Sequence, residues 1–446
     1  MSPFLIKALQ FFLSLSFLIV LHELGHFIPA KLFKTRVEKF YLFFDVKFSL
    51  FKKKIGETVY GIGWLPLGGY VKIAGMIDES MDKEQMAGPP QPWEFRSKPA
   101  WQRLIIMVGG VTVNIVLGVL IYIFLVSNWG LNYSKGEDVK YGFGVSKTLE
   151  KYGFQQGDKL VSVNGEQMFD DAEIGKFLLV RDVKTVTVKH LDGKVEKLEM
   201  PETLSDEIFE SEQIMSMKYR FPFKLDSIAK DSGADIAGLL KTDKITKVGG
   251  YPIQYQTDFT YAIVNHRKND TTVVVTYERN GVPETKEITL NNKKQLGIFM
   301  VATDKDAIKR NHVDYTFGES LSKGLELGYW TLHDYVAQLP LLFTKKGATN
   351  VGGFASIGNM FAPEWDWQAF WDRTALLSII LAFMNILPIP ALDGGHVMFL
   401  LYEMITGRKP NDKFMEYAQL VGIIILLALM VWANGNDVYK WLTDKF

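Results

Sequence analysis

The chain has 446 residues, a formal net charge of zero at pH 7 and a hydrophobic fraction of 48%. A neutral chain excludes binding of nucleic acid through whole-chain electrostatic attraction, so no nucleic-acid partner is expected. The sequence contains no cysteine, which excludes disulfides and thiolate metal ligands. Any zinc ion must therefore be held by histidine and carboxylate side chains.

Four apolar blocks interrupt an otherwise polar sequence. Each is close to the ~20 residues that a helix needs to cross a bilayer. The first block is interpreted as a retained helix rather than a secretory signal, because its apolar run is long and lacks a basic start. We therefore predict a polytopic α-helical membrane protein whose four transmembrane helices lie at 1–33, 104–126, 372–397 and 415–434.

The first predicted transmembrane helix contains the HExxH pattern His22-Glu23-Leu24-Gly25-His26. On a helix this spacing places both imidazoles on one face, one turn apart, so that they can reach one zinc ion. Glu23 can then stand beside a metal-activated water and accept its proton as the general base. Burying these side chains in an apolar helix is costly unless they are paired, metal-bound or facing a water cavity. The pattern therefore predicts two zinc ligands, His22 and His26, and a catalytic Glu23.

Residues 34–103 are predicted to form a loop on the cytoplasmic side with a membrane-associated β-hairpin or re-entrant β-loop. Apolar residues alternate at 58–64, and turn-forming Pro66-Leu67-Gly68-Gly69 follow. The cytoplasmic assignment rests on lysine and arginine near the helix ends, at Lys31, Lys34, Arg36, Lys39, Lys98, Arg103, Arg408, Lys409 and Lys413. This orientation places both termini and the long middle segment outside the cytoplasm, and His22 toward the cytoplasmic end of its helix.

The middle segment contains an internal repeat, in which residues 157–165 recur as residues 242–250. Each copy has an acidic turn, a short strand of alternating apolar residues and a glycine hairpin. This pattern resembles the PDZ domains of bacterial proteases, so two extracytoplasmic α+β domains are expected at 129–219 and 220–310. Such domains bind extended peptides by adding a strand to a sheet edge. The alternative is a spacer or size filter above the membrane.

Residues 311–371 are predicted to form an amphipathic helical region. Apolar and aromatic residues recur there at helical spacing. We expect this region to lie on the outer membrane surface or to pack under the two domains, without a catalytic role.

The third predicted transmembrane helix is interrupted by Pro388 and Pro390. Proline breaks the backbone hydrogen-bond ladder, which is tolerated at membrane depth only where protein or a water-filled cavity satisfies the freed groups. Asp393 follows this break and is the predicted third zinc ligand, since catalytic zinc takes three protein ligands and leaves a fourth position open. His396 is the competing candidate, although its position suits an outer-shell or helix-capping role better.

These motifs, in this order, resemble the site-2 protease family of intramembrane zinc metalloproteases, and more closely its bacterial branch with paired PDZ domains. The resemblance covers essentially the whole chain and includes HExxH, the loop ending in Tyr70, a GxxxN element from Gly110 to Asn114, and the NxxPxPxLDG element from Asn385 to Gly394. It implies one zinc per chain on His22, His26 and Asp393, with Glu23 as the general base.

The resemblance also implies roles for other motif residues. Asn385 would hydrogen-bond the substrate backbone, although it could instead tie down the Pro388 kink. Asn114 and Gly110 would support the active-site helices, and Gly109 would be a close-packing position. The remaining predicted substrate-contacting residues are Pro388, Pro390, Gly68, Gly69 and Tyr70.

The expected function is regulated intramembrane proteolysis in the bacterial inner membrane. Expected substrates are transmembrane proteins, such as an anti-sigma factor of the sigma-E stress response after a first extracytoplasmic cut, or remnant signal peptides. The alternative is a membrane scaffold or receptor with peptide-binding domains and a structural zinc, which would need a closed fourth coordination position.

Overall fold

The computed structural model describes residues 1–66, 68–76, 88–211, 216–266, 271–291, 295–301, 304, 306–344, 347 and 351–443. The chain forms two compact units. The helical unit comprises Met1–Gly130 and Asp314–Phe446, and the β-rich unit comprises Leu131–Val313.

The helical unit begins with α1 (Pro3–Leu32), which carries the HExxH residues in its C-terminal third. Ser2 caps this helix by accepting a hydrogen bond from the Leu5 backbone N–H, and Pro3 stands in its first turn, where a missing N–H costs nothing. The next long helix, α2 (Ala100–Trp129), packs against α1.

Between these two helices lies a four-stranded sheet of order β2-β3-β1-β4. Its strands are β1 (Val37–Leu42), β2 (Phe44–Ile55), β3 (Thr58–Leu65) and β4 (Tyr70–Ile73). The alternation at 58–64 correctly predicts β3, whereas β1 lies in a stretch that the sequence analysis left unassigned. β1 pairs in parallel with β3 and antiparallel with β4, with Phe40 opposite Val71. The strand β4 is therefore at an edge of the sheet.

The first module of the β-rich unit, defined here as residues 131–219, has its own buried core from Phe143 to Met217. It contains a three-stranded sheet of order β7-β8-β9 and a separate β6-β10 pair. Its elements are β5 (Leu131–Tyr133), β6 (Phe143–Val145), α3 (Lys147–Glu150), β7 (Lys159–Val163), α4 (Ile174–Val180), β8 (Thr185–Lys189), β9 (Val195–Glu199), α5 (Leu204–Glu210) and β10 (Met217–Tyr219).

The second module, residues 220–310, has a separate core from Ala234 to Leu296. Its strands form a sheet of order β13-β12-β14-β15 and a β11-β16 pair. The elements are β11 (Leu225–Ile228), α6 (Gly233–Ile236), β12 (Lys244–Val248), β13 (Tyr251–Pro252), α7 (Gln256–His266), β14 (Thr272–Arg279), β15 (Val282–Thr289) and β16 (Ile298–Met300). A final strand, β17 (Asn311–Val313), pairs with β5 and joins the two ends of the unit.

The sequence repeat corresponds to a structural repeat. Its two copies form β7 and β12, and each strand is followed by a turn of two residues with positive φ, Asn164-Gly165 in the first module and Gly249-Gly250 in the second. Asparagine and glycine tolerate this left-handed conformation, which tight hairpin turns require. The two modules therefore share this strand and the hairpin turn that follows it.

The repeat also conserves a buried carboxylate before each strand, but with different partners. Asp158 accepts a hydrogen bond from the His190 ring (2.6 Å), whereas Asp243 accepts two from Arg279 (2.8 and 2.6 Å). Burial opposes protonation of His190, but the hydrogen bond and charge of Asp158, helped by Glu196, raise its pKa above the ordinary 6.5. Arginine stays charged throughout this range. The first module thus has an ion pair, His190–Asp158, whose charge depends on pH, whereas the Arg279–Asp243 pair of the second module stays charged.

We expect the first module to lose stability relative to the second as the pH rises. A raised folded-state pKa means that protonated His190 contributes stability that is fully present below pH 6.5 and is lost as the pH passes through the folded value. Hydrogen-exchange protection of β7, β8 and β9, corrected for intrinsic rates between about pH 6 and pH 9, should fall relative to that of β12, β14 and β15. The difference should vanish in His190→Gln, and equal protection of both modules at every pH would contradict the expectation.

The second half of the helical unit begins with α8 (Phe317–Ala337), where the sequence predicts an amphipathic helix. It packs along α2, with Gly324 close to Ile123 and Gly328 close to Val119. The helix thus packs on one side along an apolar helix of the same unit, and large apolar side chains on it, among them Phe317 and Leu325, remain exposed. The remaining helices are α9 (Leu339–Leu342), α10 (Phe354–Gly358), α11 (Trp367–Ile386), α12 (Asp393–Thr406) and α13 (Asp412–Thr443).

The four predicted transmembrane helices correspond to four helices that are long and apolar enough to cross a membrane, namely Pro3–Leu32, Ala100–Trp129, Trp367–Ile386 and Lys413–Leu442. The third predicted span, 372–397, is divided into α11 and α12, and residues 387–392 between them are not helical. This break lies at the two prolines, and it brings Asp393 to the start of a new helix.

Candidate active site

Three side chains from two distant parts of the chain converge in the helical unit. His22 and His26 lie one turn apart on α1, and Asp393 is the first residue of α12. The Nε2 atoms of the two histidines are 3.3 Å apart, and each is 3.3 Å from Asp393 Oδ2. Zinc bound tetrahedrally at its usual bond lengths separates its ligand atoms by about 3.3 Å. The triangle therefore has the size expected for one zinc ion.

The chemistry of these atoms also fits a cation. Asp393 Oδ2 is buried and has no hydrogen-bond partner among the residues that the structure describes, although it faces both imidazoles. Three atoms with lone pairs that converge on one point at this spacing are the arrangement expected of metal ligands. Of the described residues, these three form the one cluster of histidine and carboxylate side chains that could hold a metal ion.

The Nδ1 atom of each imidazole contacts a polar group of α2, which is a backbone carbonyl for His26 and a side-chain amide for His22. His26 Nδ1 lies 2.8 Å from the Ile106 carbonyl oxygen and donates to it, which leaves Nε2 unprotonated. His22 Nδ1 lies 3.2 Å from the Asn114 side-chain amide. The amide oxygen, Asn114 Oδ1, is buried and has no hydrogen-bond partner among the described residues. A 180° rotation of the amide exchanges its N and O atoms and lets this oxygen accept a hydrogen bond from His22 Nδ1. Both rings are then oriented with Nε2 free for zinc.

Gly110 allows α2 to approach the two histidines. A Cβ atom at this position would lie 2.6 Å from His22 Cε1 and would also collide with His26 Nε2. A Cβ atom added at Gly109 would likewise collide with the Gly25 carbonyl of α1, consistent with small residues at helix crossings. The GxxxN element therefore serves both the crossing of the helices and the orientation of His22.

Replacing Gly110 by alanine should displace the histidine rings and lower zinc content and activity together. Gly118→Ala on the same helix is the comparison variant, because its added Cβ would crowd the buried Ile379 side chain and the Ala375 carbonyl oxygen but neither histidine. Metal analysis of the two purified variants checks the expectation. Full zinc occupancy in Gly110→Ala would show that the ring positions tolerate the methyl group.

Glu23 lies between the zinc-ligand cluster and the sheet. Its side chain is buried, and the backbone N–H of Val71 in β4 donates a hydrogen bond to its carboxylate. Gly69, just before β4, lies so close to α1 that a Cβ there would meet the Ile19 side chain at 2.5 Å and Glu23 Cγ at 3.5 Å. The edge strand β4 thus faces Glu23.

Gly68 and Tyr70, the neighbours of Gly69, contact other residues of the sheet and do not reach the cluster of His22, His26 and Asp393. Tyr70 stacks on Tyr41 and Phe44, and its hydroxyl donates to Asp45 Oδ1 at 2.7 Å. A Cβ at Gly68 would meet the Phe44 ring at 3.1 Å.

Asn385 is near the cluster, at the C-terminal end of α11. Its Nδ2 atom lies 3.4 Å from His22 Nε2. Pro388 and Pro390 lie in the non-helical stretch that follows. The freed backbone N–H of Ala391 donates to the side chain of Gln419 on α13 at 3.1 Å, and Gln419 is only 3% exposed. Sequence reasoning missed Gln419, although a glutamine within an apolar span is a usable signal.

His396, the competing candidate for the third ligand, is not part of the ligand cluster. It lines a cavity together with Phe399 and the partly buried ion pair Arg103–Glu403 (2.5 Å). The geometry therefore favours Asp393 over His396.

A HExxH motif whose histidines meet an aspartate from a second helix, in a unit with long apolar helices, is typical of an integral-membrane metallopeptidase. Residues 10–429 match the model of peptidase family M50, and the chain belongs to this family, which comprises the site-2 proteases. It is a zinc metallopeptidase, and its general activity is intramembrane proteolysis.

Similar proteins extend over nearly the full chain. A Neisseria meningitidis protein named as a zinc metalloprotease is 26% identical to this chain over 474 residues, and the alignment covers 97% of this chain and 99% of the relative. A Vibrio cholerae protein named in the same way is 27% identical, and the alignment covers 98% of this chain and 99% of the relative. The regulator of sigma E protease from Haemophilus influenzae is 26% identical, covering 97% of this chain and 98% of the relative.

Proposed function

We propose that the protein hydrolyses a peptide bond within the transmembrane segment of single-span membrane proteins. One zinc ion per chain is held by His22, His26 and Asp393, and Glu23 is the general base. The observation that carries this proposal is the position of Glu23 between the ligand triangle and the edge of β4.

The edge of β4 suits a substrate that has been partly unwound. A transmembrane helix hides its amides in its own hydrogen bonds, so a protease must first open a short stretch. That stretch can add to β4 as a further strand, since β4 is at the sheet edge and a strand added there gains backbone hydrogen bonds. Gly68, Gly69 and Tyr70 lead into this edge. The substrate carbonyl then lies beside Glu23.

The chain's own residues carry out the proton transfers. Zinc, when bound, supplies Lewis-acid activation of water and of the scissile carbonyl. Glu23 accepts the proton of the attacking water and returns it to the leaving amine. The Asn385 amide is placed to donate to the substrate backbone, because its nitrogen already lies beside the ligand cluster. Pro388 and Pro390 keep this region of the chain non-helical and so keep it open to the substrate.

The positive-inside pattern supports an inner-membrane topology in which both termini and the β-rich unit are extracytoplasmic and the active site is toward the cytoplasm. The two modules, with their repeated strand and hairpin, are PDZ domains in this proposal. They admit a substrate that has been trimmed by a first cut and exclude an untrimmed one. The substrates are an anti-sigma factor type of protein and remnant signal peptides.

The test is cleavage of a single-span helix by the purified protein in liposomes. We expect cleavage within the helix, loss on zinc chelation and recovery when zinc is returned, with the product identified by mass. Two substrates with the same helix, one bearing a folded extracytoplasmic domain and one trimmed near the membrane, test the role of the modules, and the trimmed form should be preferred. A zinc-loaded protein that cleaves neither substrate would support the scaffold alternative.

A further inference from the structure

The cavity that His396 lines is in the helical unit, and we call it the α12 cavity. Its volume is about 210 Å³. The apolar side chains that line it are Met76, Phe95, Phe399, Leu400 and Met415. Sites for whole small molecules begin at about 300 Å³, so a cavity of this volume suits a single side chain better than a cofactor.

Three polar side chains at the α12 cavity already have partners within the protein. Arg103 donates to Glu403 at 2.5 Å, and Arg96 donates to Glu94 at 2.6 Å. Gln419 accepts a hydrogen bond from the backbone of the segment that the two prolines break. A charged group entering the cavity would lose its hydration without gaining these partners. The ligand group that matches the remaining wall is therefore apolar.

The α12 cavity begins beside the zinc-ligand residues. His396 and Glu403 line it, and at 1.5 Å per residue they lie about 4.5 and 15 Å from Asp393 along the helix axis. On the opposite wall, Gln419 is hydrogen-bonded to the backbone N–H of Ala391 at 3.1 Å, close to Asp393 in the chain. The cavity therefore extends from the active site toward the C-terminal end of α12.

The edge strand β4 leads to the same cavity. It begins after Gly69, where an added Cβ would lie 3.5 Å from Glu23 Cγ. It ends at Ile73, which belongs to the same buried cluster as Ala30 near the C-terminal end of α1. The Met76 N–H then donates to the Ile73 carbonyl at 3.3 Å, so the chain turns there, and Met76 forms part of the cavity wall.

A substrate strand that adds to β4 and continues past Ile73 therefore reaches the α12 cavity. Successive strand residues are about 3.3 Å apart. The cavity wall on α12 lies about 4.5 to 15 Å beyond Asp393, which is level with substrate residues about two to four positions from the bond beside Glu23. Because alternate side chains of a strand point to opposite faces, one or two of these positions face the cavity.

We propose that the α12 cavity is a specificity subsite for a large apolar side chain of the substrate, such as leucine or phenylalanine. This side chain is about two to four residues from the cleaved bond, on the side of the C-terminal end of α12, which is cytoplasmic in the proposed topology. The subsite rests on the proposed function and adds to it a preference for substrate sequence. Alanine leaves the cavity unfilled, and aspartate loses its hydration there.

Cleavage of matched single-span helices in liposomes tests this preference. Successive positions on the cytoplasmic side of the cleaved bond carry leucine, alanine or aspartate in turn. At the positions that face the cavity, alanine should lower kcat/KM roughly tenfold or more, and aspartate should lower it further. A protein that cleaves none of the helices would contradict the proposed function. A protein that cleaves all of them at one rate would overturn the subsite alone.

A variant that fills the α12 cavity tests the same preference from the side of the protein. Met415→Trp should raise the rate for the alanine substrate relative to the leucine substrate, because the indole occupies the space that leucine fills. Met404→Trp is the matched control, since Met404 is an exposed methionine of α12 that does not line the cavity. The same substrate ratio in Met415→Trp as in the wild type would contradict the subsite.

Disulfide cross-linking gives a readout that does not require catalysis, because the sequence has no cysteine of its own. Met415→Cys, combined with Glu23→Gln to keep the substrate intact, should cross-link to a cysteine at the substrate positions that determine the rate. Met404→Cys should not cross-link at these positions. This measurement decides if Met415→Trp disturbs the fold, and failure of Met415→Cys to cross-link there would refute the subsite.

Discussion

Replacing Glu23 by glutamine is expected to reduce peptide-bond hydrolysis by roughly a hundredfold to ten-thousandfold, the usual contribution of a positioned general base. Glutamine keeps the size of the side chain and can still face Val71, but it cannot accept a proton from water. Glu23 is not part of the cluster of three ligand residues, so zinc should remain bound at the wild-type level. The expected result is therefore an inactive protein with a full metal site.

The measurement is single-turnover cleavage in liposomes, with the zinc content of each sample determined alongside. Glu202→Gln is the control for removal of one carboxylate, because Glu202 is an exposed residue of the β-rich unit. Cleavage at the wild-type rate in Glu23→Gln would remove Glu23 from the chemistry. Loss of zinc in that variant would instead make it a ligand or a support of the metal site.

The parts of the fold that could be predicted are those determined by local pattern. Long apolar runs identify the four candidate transmembrane helices, because crossing a bilayer requires that length and composition. The HExxH pattern predicts that its two histidines share one face of a helix, because residues four apart on a helix lie on the same side. The strand β3 was predicted from strict alternation. In contrast, β1 pairs in parallel with β3 and antiparallel with β4. This strand could not be predicted, because its formation depends on contacts with other segments rather than on a pattern within its own sequence.

The parts of the active site that could not be predicted are the contacts between helices. The sequence indicated a supporting role for Asn114, but its contact with His22 depends on how α1 and α2 cross at Gly25 and Gly109. The hydrogen bond from Ala391 to Gln419 likewise depends on the position of α13. Helix α8 follows an amphipathic pattern that suits both a membrane surface and the side of α2, and its close approach to α2 at Gly324 and Gly328 depends on how the two helices pack rather than on that pattern.

The second large effect is expected for replacement of Asp393, whose position depends on the break in the third predicted span. Because the helix breaks at 387–392, the carboxylate of Asp393 begins α12 and meets both histidines, while His396 lies one turn further along and lines a different cavity. Asp393→Asn keeps the shape of the side chain but removes the negative charge. We expect zinc affinity to fall by more than about 100-fold, since loss of an outer-shell partner alone costs about 10- to 100-fold.

The comparison that tests this expectation is Asp393→Asn against His396→Gln, with zinc measured after dialysis against a graded series of chelator concentrations. Asp393→Asn should lose zinc at chelator levels that leave the wild type loaded, and His396→Gln should follow the wild type. Activity alone would not separate the two, because a helix-capping or substrate-contacting histidine would also affect cleavage. The reverse order of zinc loss would require α12 to slide by about 4.5 Å along its axis and to rotate by about 60°, the shift that brings His396 to the position of Asp393 beside His22 and His26.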